Sequence, residues 1–174
     1  MVVFWIAQGI GLIALGFSIL AYQSKTKQEL LSRQMAGAFV YALHYFLLSA
    51  WTGLFMNLIV AVRNWIFGKK NQHAWADNPF WMWFFIALAL GTLPFIWEGP
   101  ISFLPVTGII LGVYSRWQEK ISQIRLYTII GCVLWIPYNL VVRSYSGVLV
   151  DIIVIVATFY GIWKHDRVTL AEKV

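Results

Sequence analysis

Apolar residues fill this chain in about seven runs, and the charged residues collect between them. The runs are Val3–Ala21, Gln34–Ser49, Trp51–Phe67, Pro79–Trp97, Ile101–Tyr114, Arg125–Val142 and Ser146–Trp163. Only 11% of the 174 residues are charged and 60% are hydrophobic, whereas a soluble domain carries about 25% charged residues. With a mean hydropathy of +0.73, the chain cannot cover itself with a water-compatible surface. It reads as an all-α membrane protein of seven transmembrane helices, with no sizeable domain outside the bilayer. Several runs fall below the roughly 20 residues an upright spanning helix needs; the fifth is the shortest and carries Pro105. Asp77-Asn78-Pro79 predicts a helix start, and the short turn Ser49–Gly53 makes runs two and three antiparallel neighbours. The first run has no basic n-region before it and ends in Tyr22-Gln23-Ser24-Lys25, which is not a small-residue cleavage site. It is therefore expected to be a retained helix. The single cysteine, Cys132, excludes an intrachain disulfide.

The net charge of +6 invites a nucleic-acid reading, but its distribution argues for topology instead. Lys25, Lys27, Arg33, Lys69, Lys70, Arg116, Lys120, Arg125, Lys164, Arg167 and Lys173 fall after runs one, three and five and in the tail. The alternate loops hold Arg143. By the positive-inside rule the N-terminus lies outside and the C-terminus in the cytoplasm. The partner is then the lipid bilayer and not nucleic acid, with an anionic ligand or lipid site as the other reading of the basic loops. Arg63 sits inside run three, near its basic end, and is expected to snorkel.

Runs one to three resemble runs five to seven. Gly16 and Tyr22 match Gly108 and Tyr114; after a two-residue shift, Gly37, Tyr41, Gly53 and Asn57 fall opposite Gly131, Trp135, Gly147 and Asp151. A three-helix unit repeated directly would point the opposite way, and one intervening helix restores its direction. This predicts a 3+1+3 plan of parallel triple-helix repeats, with residues 1–70 as the first repeat, 71–100 as the linker helix and 101–174 as the second repeat and tail. Repeated transporter halves hold their substrate at the repeat interface, near the bilayer midplane.

Four residues mark such a place. Asp151 is a carboxylate inside an apolar run, costing roughly 2.5–3.5 kcal/mol at the bilayer centre on insertion scales. Asn57 is its repeat partner. Nine of the ten tryptophans lie near run ends or in loops, where indole rings favour the membrane interface. Trp135 alone lies well inside a run, and its repeat partner is Tyr41. Two aromatic faces and two polar groups can sandwich a flat solute and bond its edge. His44 and Asn139, also inside runs, complete the candidate substrate-binding set, with Gln8 as a weaker candidate. Each has a structural alternative. Trp135 and Tyr41 can be core packing, Asn57 an interhelical hydrogen bond, His44 a satisfied packing residue, and Asp151 a partner of Arg143 two turns away or a neutral hydrogen-bonding acid.

Together these features resemble the MtN3-like superfamily of sugar-transporting SWEETs and SemiSWEETs, PnuC vitamin transporters and PQ-loop proteins. Within it, the stretch Leu20-Ala-Tyr-Gln-Ser-Lys-Thr-Lys-Gln-Glu-Leu-Leu-Ser, the stretch Tyr45–Asn57 and the 3+1+3 plan resemble the bacterial inner-membrane YgjV-type family. The superfamily resemblance implies an aromatic on the second helix and an asparagine on the third of each repeat, matched by Tyr41 and Asn57 and by Trp135 and Asp151. The sequence departs from it where the Pro-Gln signature reads Tyr22-Gln23 and then Tyr114-Ser115, and where Asp151 replaces asparagine. The resemblance implies a small-solute transporter or facilitator of the bacterial inner membrane, working by alternating access on a small-molecule substrate such as a sugar, nucleoside or vitamin. Proton coupling through Asp151 is one version of it, a non-transporting receptor, scaffold or assembly protein the competing class. No enzyme activity, metal or cofactor is expected: His44, His73 and His165 stand too far apart for a metal cluster, and no nucleophile motif or carboxylate pair falls at membrane depth. Homo-oligomerisation is left open.

Overall fold

The structure, a computed structural model, describes residues 2–22, 27–117 and 121–162. Over these it is all-helical, with seven α-helices: α1 (Val2–Tyr22), α2 (Lys27–Leu47), α3 (Trp51–Gly68), α4 (Phe80–Thr92), α5 (Phe103–Trp117), α6 (Ile121–Val141) and α7 (Tyr145–Gly161). Gln23, Lys25, Lys120, Trp163, Lys164, Arg167 and Lys173, which carried parts of the signature, belt and charge arguments, lie outside the described residues.

Among the described residues, only Val2–Ala21 is both long and apolar enough to cross a bilayer on its own; Phe80–Phe95, Leu126–Val141 and Tyr145–Tyr160 are shorter apolar helices. The physical reasons are local. Helix α2 begins at Lys27 and runs through Glu29 and Arg33, seven residues ahead of the apolar run. Helix α3 carries Asn57, Arg63 and Asn64. The fourth run is broken: α4 ends at Thr92 and a 3-10 turn, Leu93–Phe95, follows with Pro94 inside it. Proline supplies no N–H and crowds the preceding turn, so it ends the α-helix there. Pro105 has no such effect, because α5 starts at Phe103 and first-turn N–H groups lack helical partners anyway. Asn78 acts in the expected cap, its Oδ1 accepting from the Phe80 N–H at 2.8 Å.

The helices pack in a closed order. Helix α2 packs on α1 and α3, α6 packs on α5 and α7, and the two groups meet where α3 touches α5 and where α7 touches α1. Helix α4 covers the α3–α5 contact, burying Met82, Phe85 and Ala89 with Phe67, Ile109 and Val113. The α1–α7 seam is close because α1 turns Ala7, Gly11 and Ala14 inward. A side chain at Gly11 would run into Ser146 of α7. Small residues let membrane helices approach in this way. The opposite side of α1 exposes Val2, Trp5, Ile6, Leu12, Ile13, Ile19 and Leu20, an apolar face suited to lipid.

The turns between α2 and α3 and between α6 and α7 are built alike. Ser49 and Arg143 adopt left-handed backbone with φ of 56° and 57°. The N–H of Ala50 bonds the carbonyl of Tyr45 at 2.9 Å and that of Ser49 bonds Phe46 at 3.0 Å; Ser144 bonds Asn139 at 2.8 Å and Arg143 bonds Leu140 at 3.2 Å. These are paired Schellman caps, separated by the same 94 residues as Tyr45 and Asn139. Gly53 and Gly147 follow at matching places. A Cβ at Gly53 would lie 2.6 Å from the Tyr45 ring, and one at Gly147 would lie 2.8 Å from the Asn139 amide.

Glu98, just before α5, secures the same end of the bundle. Its carboxylate accepts from the Trp51 N–H at 2.7 Å, the Thr52 N–H at 3.2 Å and the Tyr138 hydroxyl at 3.0 Å. An anion at the start of α3 also complements the helix dipole. The Tyr138 hydroxyl in turn accepts from the Gly53 N–H at 2.7 Å, so a single carboxylate ties α3, α6 and the segment after α4.

Candidate functional site

A cavity of about 200 Å³ opens between the two helix groups. On the same measure one water needs roughly 10–15 Å³, so the space exceeds a single water more than tenfold. Tyr41, Asn57, Trp135, Asn139 and Asp151 all line it. Five of the six residues singled out from sequence therefore share one wall-to-wall space.

Asp151 is 8% exposed. Its Oδ2 accepts from the Asn139 amide at 2.9 Å, and Cys132 lines the same cavity. The Asn139 Oδ1 accepts from the Tyr45 hydroxyl at 2.5 Å. A chain of three groups thus runs from α2 through α6 to α7. Among the described residues no basic side chain lies within ion-pairing distance of Asp151. The pairing with Arg143 is not formed; the Arg143 carbonyl instead accepts from the Gln8 amide at 2.8 Å.

Asn57 donates through Nδ2 to the Gly53 carbonyl of its own helix at 2.9 Å while lining the cavity. The Trp135 ring packs between Tyr45 at 6.0 Å and Tyr138 at 5.8 Å. It approaches α5 at Gly108, where an added Cβ would lie 2.8 Å from its Cδ1 and Nε1. Tyr41 is 8% exposed and forms a second aromatic wall, 6.1 Å from Tyr45.

The sixth candidate, His44, is placed elsewhere. It is fully buried and absent from the cavity wall. Its Nδ1 lies 2.7 Å from the Ala7 carbonyl and its Nε2 lies 2.7 Å from the Ser144 hydroxyl. Since a carbonyl only accepts, Nδ1 carries the proton and Nε2 accepts from Ser144. Both ring nitrogens are used in joining α1, α2 and the cap of α7, so His44 is a packing residue. Gln8 belongs to the same seam, accepting from the Ser146 N–H at 3.4 Å, and also stays off the cavity.

Sequence reasoning missed three cavity residues that matter. Arg63, expected to snorkel, is instead 2% exposed, with Nε and Nη2 donating to Asn64 Oδ1 at 3.2 and 2.8 Å. Arg116, assigned to the basic loops, also lines the cavity and donates from Nε to Gln34 Oε1 at 3.3 Å. A Cβ at Gly112 would lie 3.2 Å from Arg63 Nη1 and 3.6 Å from Arg116 Nη1. The two nitrogens are therefore under about 7 Å apart, where like charges repel by roughly 2 kcal/mol at an effective dielectric of about 20. Tyr45, which links the polar chain, was also passed over. The available signal was its spacing of four residues from Tyr41, one helical turn on the same face.

Six helices around an aromatic-walled cavity that holds a few polar groups, a seventh packed outside them, and apolar side chains turned outward define an all-α membrane protein. The model of a family described as bacterial inner membrane protein, Imp-YgjV, matches residues 5–169, and the chain belongs to that family. Among its relatives is "Inner membrane protein YgjV" of Escherichia coli (strain K12), 23% identical over 151 residues, which cover 87% of this chain and 79% of that protein. No solved structure matches the chain.

Proposed function

We propose that this chain is a multi-pass small-solute transporter or facilitator of the inner membrane, working by alternating access. In this reading all seven helices cross the bilayer as 3+1+3 parallel repeats, with the N-terminus outside and the C-terminus in the cytoplasm. The short helices are accommodated by packing and by local thinning of the bilayer. The observation that carries the reading is that repeat-matched residues, Tyr41 with Trp135 and Asn57 with Asp151, line one cavity between the two helix groups. The duplicated caps at Ser49 and Arg143 support the repeats, as does the equivalence of the two seams, α3 on α5 and α7 on α1. Tyr45 and Asn139, equivalent under the repeat, touch each other, which is the arrangement expected of residues beside an axis relating two halves. Rocking the two halves against each other opens the cavity to one face of the bilayer while closing it to the other. Membership of the MtN3-like superfamily is part of this proposal.

The solute lies between the aromatic walls, with its edge bonded by Asn57 and Asp151. The test is a thermal-stabilisation screen of the purified protein across sugars, nucleosides and vitamins, followed by uptake of any hit into proteoliposomes. A hit lost in both Trp135→Ala and Asp151→Asn, and taken up by the wild type, supports the reading. Binding without uptake would move the protein to the receptor class. Proton coupling is tested by imposing a pH gradient: Asp151→Asn is expected to abolish gradient-driven uptake, and unchanged pH dependence in that variant removes coupling through this residue.

A further inference from the structure

We infer that the cavity takes a solute bearing an oxyanion, a carboxylate or phosphate group, held between Arg63 and Arg116 where α3 meets α5. This rests on the solute site proposed above and specifies the charge of its ligand.

A cation buried as deeply as Arg63 calls for a counter-charge. Its hydrogen-bond partner is the neutral amide of the adjacent residue, Asn64. Among the described residues no carboxylate lies within ion-pairing distance of either arginine; the ion pair present joins Lys70 and Asp77. Instead, a second guanidinium faces the same point. Gly112 lets both Nη1 atoms approach α5, where an added Cβ would lie 3.2 and 3.6 Å from them, and both side chains border the cavity. Two guanidiniums whose Nη1 atoms meet at one place on the cavity wall form a receptor for an oxyanion, which each can hold by a charge-assisted bond. A bound oxyanion also relieves the repulsion between them.

A purely architectural role for Arg63 fits poorly with the rest of the fold. At the 94-residue spacing shared by the two turns, the corresponding place in α7 holds Ala157. The second helix group packs without a cation there. The pair belongs to one seam only, and Arg63 lies less than two helical turns along α3 from Asn57, a rise of about 9 Å. A small organic anion can therefore engage the clamp while its body reaches the aromatic and amide walls.

The test uses the full chain in neutral detergent, with inorganic phosphate as the probe and sodium chloride at equal ionic strength as the control. Phosphate is expected to raise the melting temperature in a saturable way beyond chloride. The shift is expected to vanish in Arg116→Gln and to survive in part in Arg116→Lys. Gly112→Ala, which fills the space before both nitrogens while keeping both charges, is expected to reduce it at least tenfold in apparent affinity and keeps the test decisive if Arg116→Gln folds poorly. Repeating the measurement in nanodiscs of phosphatidylglycerol against phosphatidylcholine separates the sources. Arginine-dependent stabilisation by phosphatidylglycerol alone assigns the oxyanion to a lipid headgroup and sustains the clamp. Equal shifts in phosphate and chloride with no gain from phosphatidylglycerol, or a gain undiminished in both Arg116→Gln and Gly112→Ala, overturns it. Arginine-dependent phosphate binding without uptake of any solute would sink the transport reading and leave the clamp standing. Uptake of a solute without any arginine-dependent anion effect would do the reverse.

Discussion

Gly16 and Gly108 are matched in sequence, yet the structure gives them opposite environments, and alanine substitution separates the two. At Gly16 an added Cβ meets nothing within 4 Å. The change there is governed by helix propensity, which favours alanine over glycine by about 1 kcal/mol in a helix interior. At Gly108 the same Cβ would lie 2.8 Å from two atoms of the Trp135 ring and 3.4 Å from the Gly131 carbonyl. Ordinary contact needs a further half ångström or more. The ring cannot yield toward Tyr45 or Tyr138, which flank it at 6.0 and 5.8 Å, so it moves into the cavity or the α5–α6 contact widens. Overpacking of this kind costs about 1–3 kcal/mol, which outweighs or cancels the propensity gain. Gly16→Ala is therefore expected to be stabilised by up to about 1 kcal/mol. Gly108→Ala is expected to be neutral to destabilised by about 2 kcal/mol and to lose any ligand that contacts Trp135. Thermal melting of both variants in one detergent, followed by tryptophan fluorescence, measures the difference. Equal and positive shifts in both would refute the close approach of Trp135 to α5.

Ser49→Gly and Arg143→Gly should each stabilise the protein by a few tenths to about 1 kcal/mol, because glycine adopts the left-handed cap without a Cβ penalty; a loss at either position would show that its turn is built differently. Asn139→Leu strands the Tyr45 hydroxyl and deprives Asp151 of its amide donor, at a cost of about 1–3 kcal/mol for each buried group left unpaired, read in the melting temperature. Glu98→Ala removes acceptors from the first turn of α3 and from Tyr138, and should cost about 1–2 kcal/mol. His44→Leu should lower stability without altering the affinity or specificity of any cavity ligand, since the ring lies outside the cavity; a specificity change would return His44 to the site.

Much of the candidate site was legible because its signals are local. Asp151 stood out as a charge in an apolar run, and Trp135 as an indole away from the run ends. The spacing shared by Gly37, Tyr41, Gly53 and Asn57 with their second-half counterparts brought forward two residues on each side of what is now one cavity. Arg63 and His44 were misplaced for a common reason. A membrane helix is apolar nearly all round, so its sequence gives little indication of which face turns inward. Arg63 reads equally well as snorkelling to the interface or as reaching into a cavity, and His44 as a cavity residue or as a brace between Ala7 and Ser144. Glu98 gave no signal at all, because the groups it joins, the start of α3 and Tyr138, are 47 and 40 residues away along the chain.

Already legible in the chain were the membrane class, the order of seven helical segments, the short turn between the second and third and the short list of polar residues inside apolar runs. Hydropathy, proline and turn chemistry act within a few residues, so they can be read without the fold. Only the tertiary structure decided which of those residues share a space. Close approaches at Gly11, Gly53, Gly108 and Gly147 set how each helix is rotated, and that rotation turned Asp151 and Arg63 into the cavity and His44 away from it.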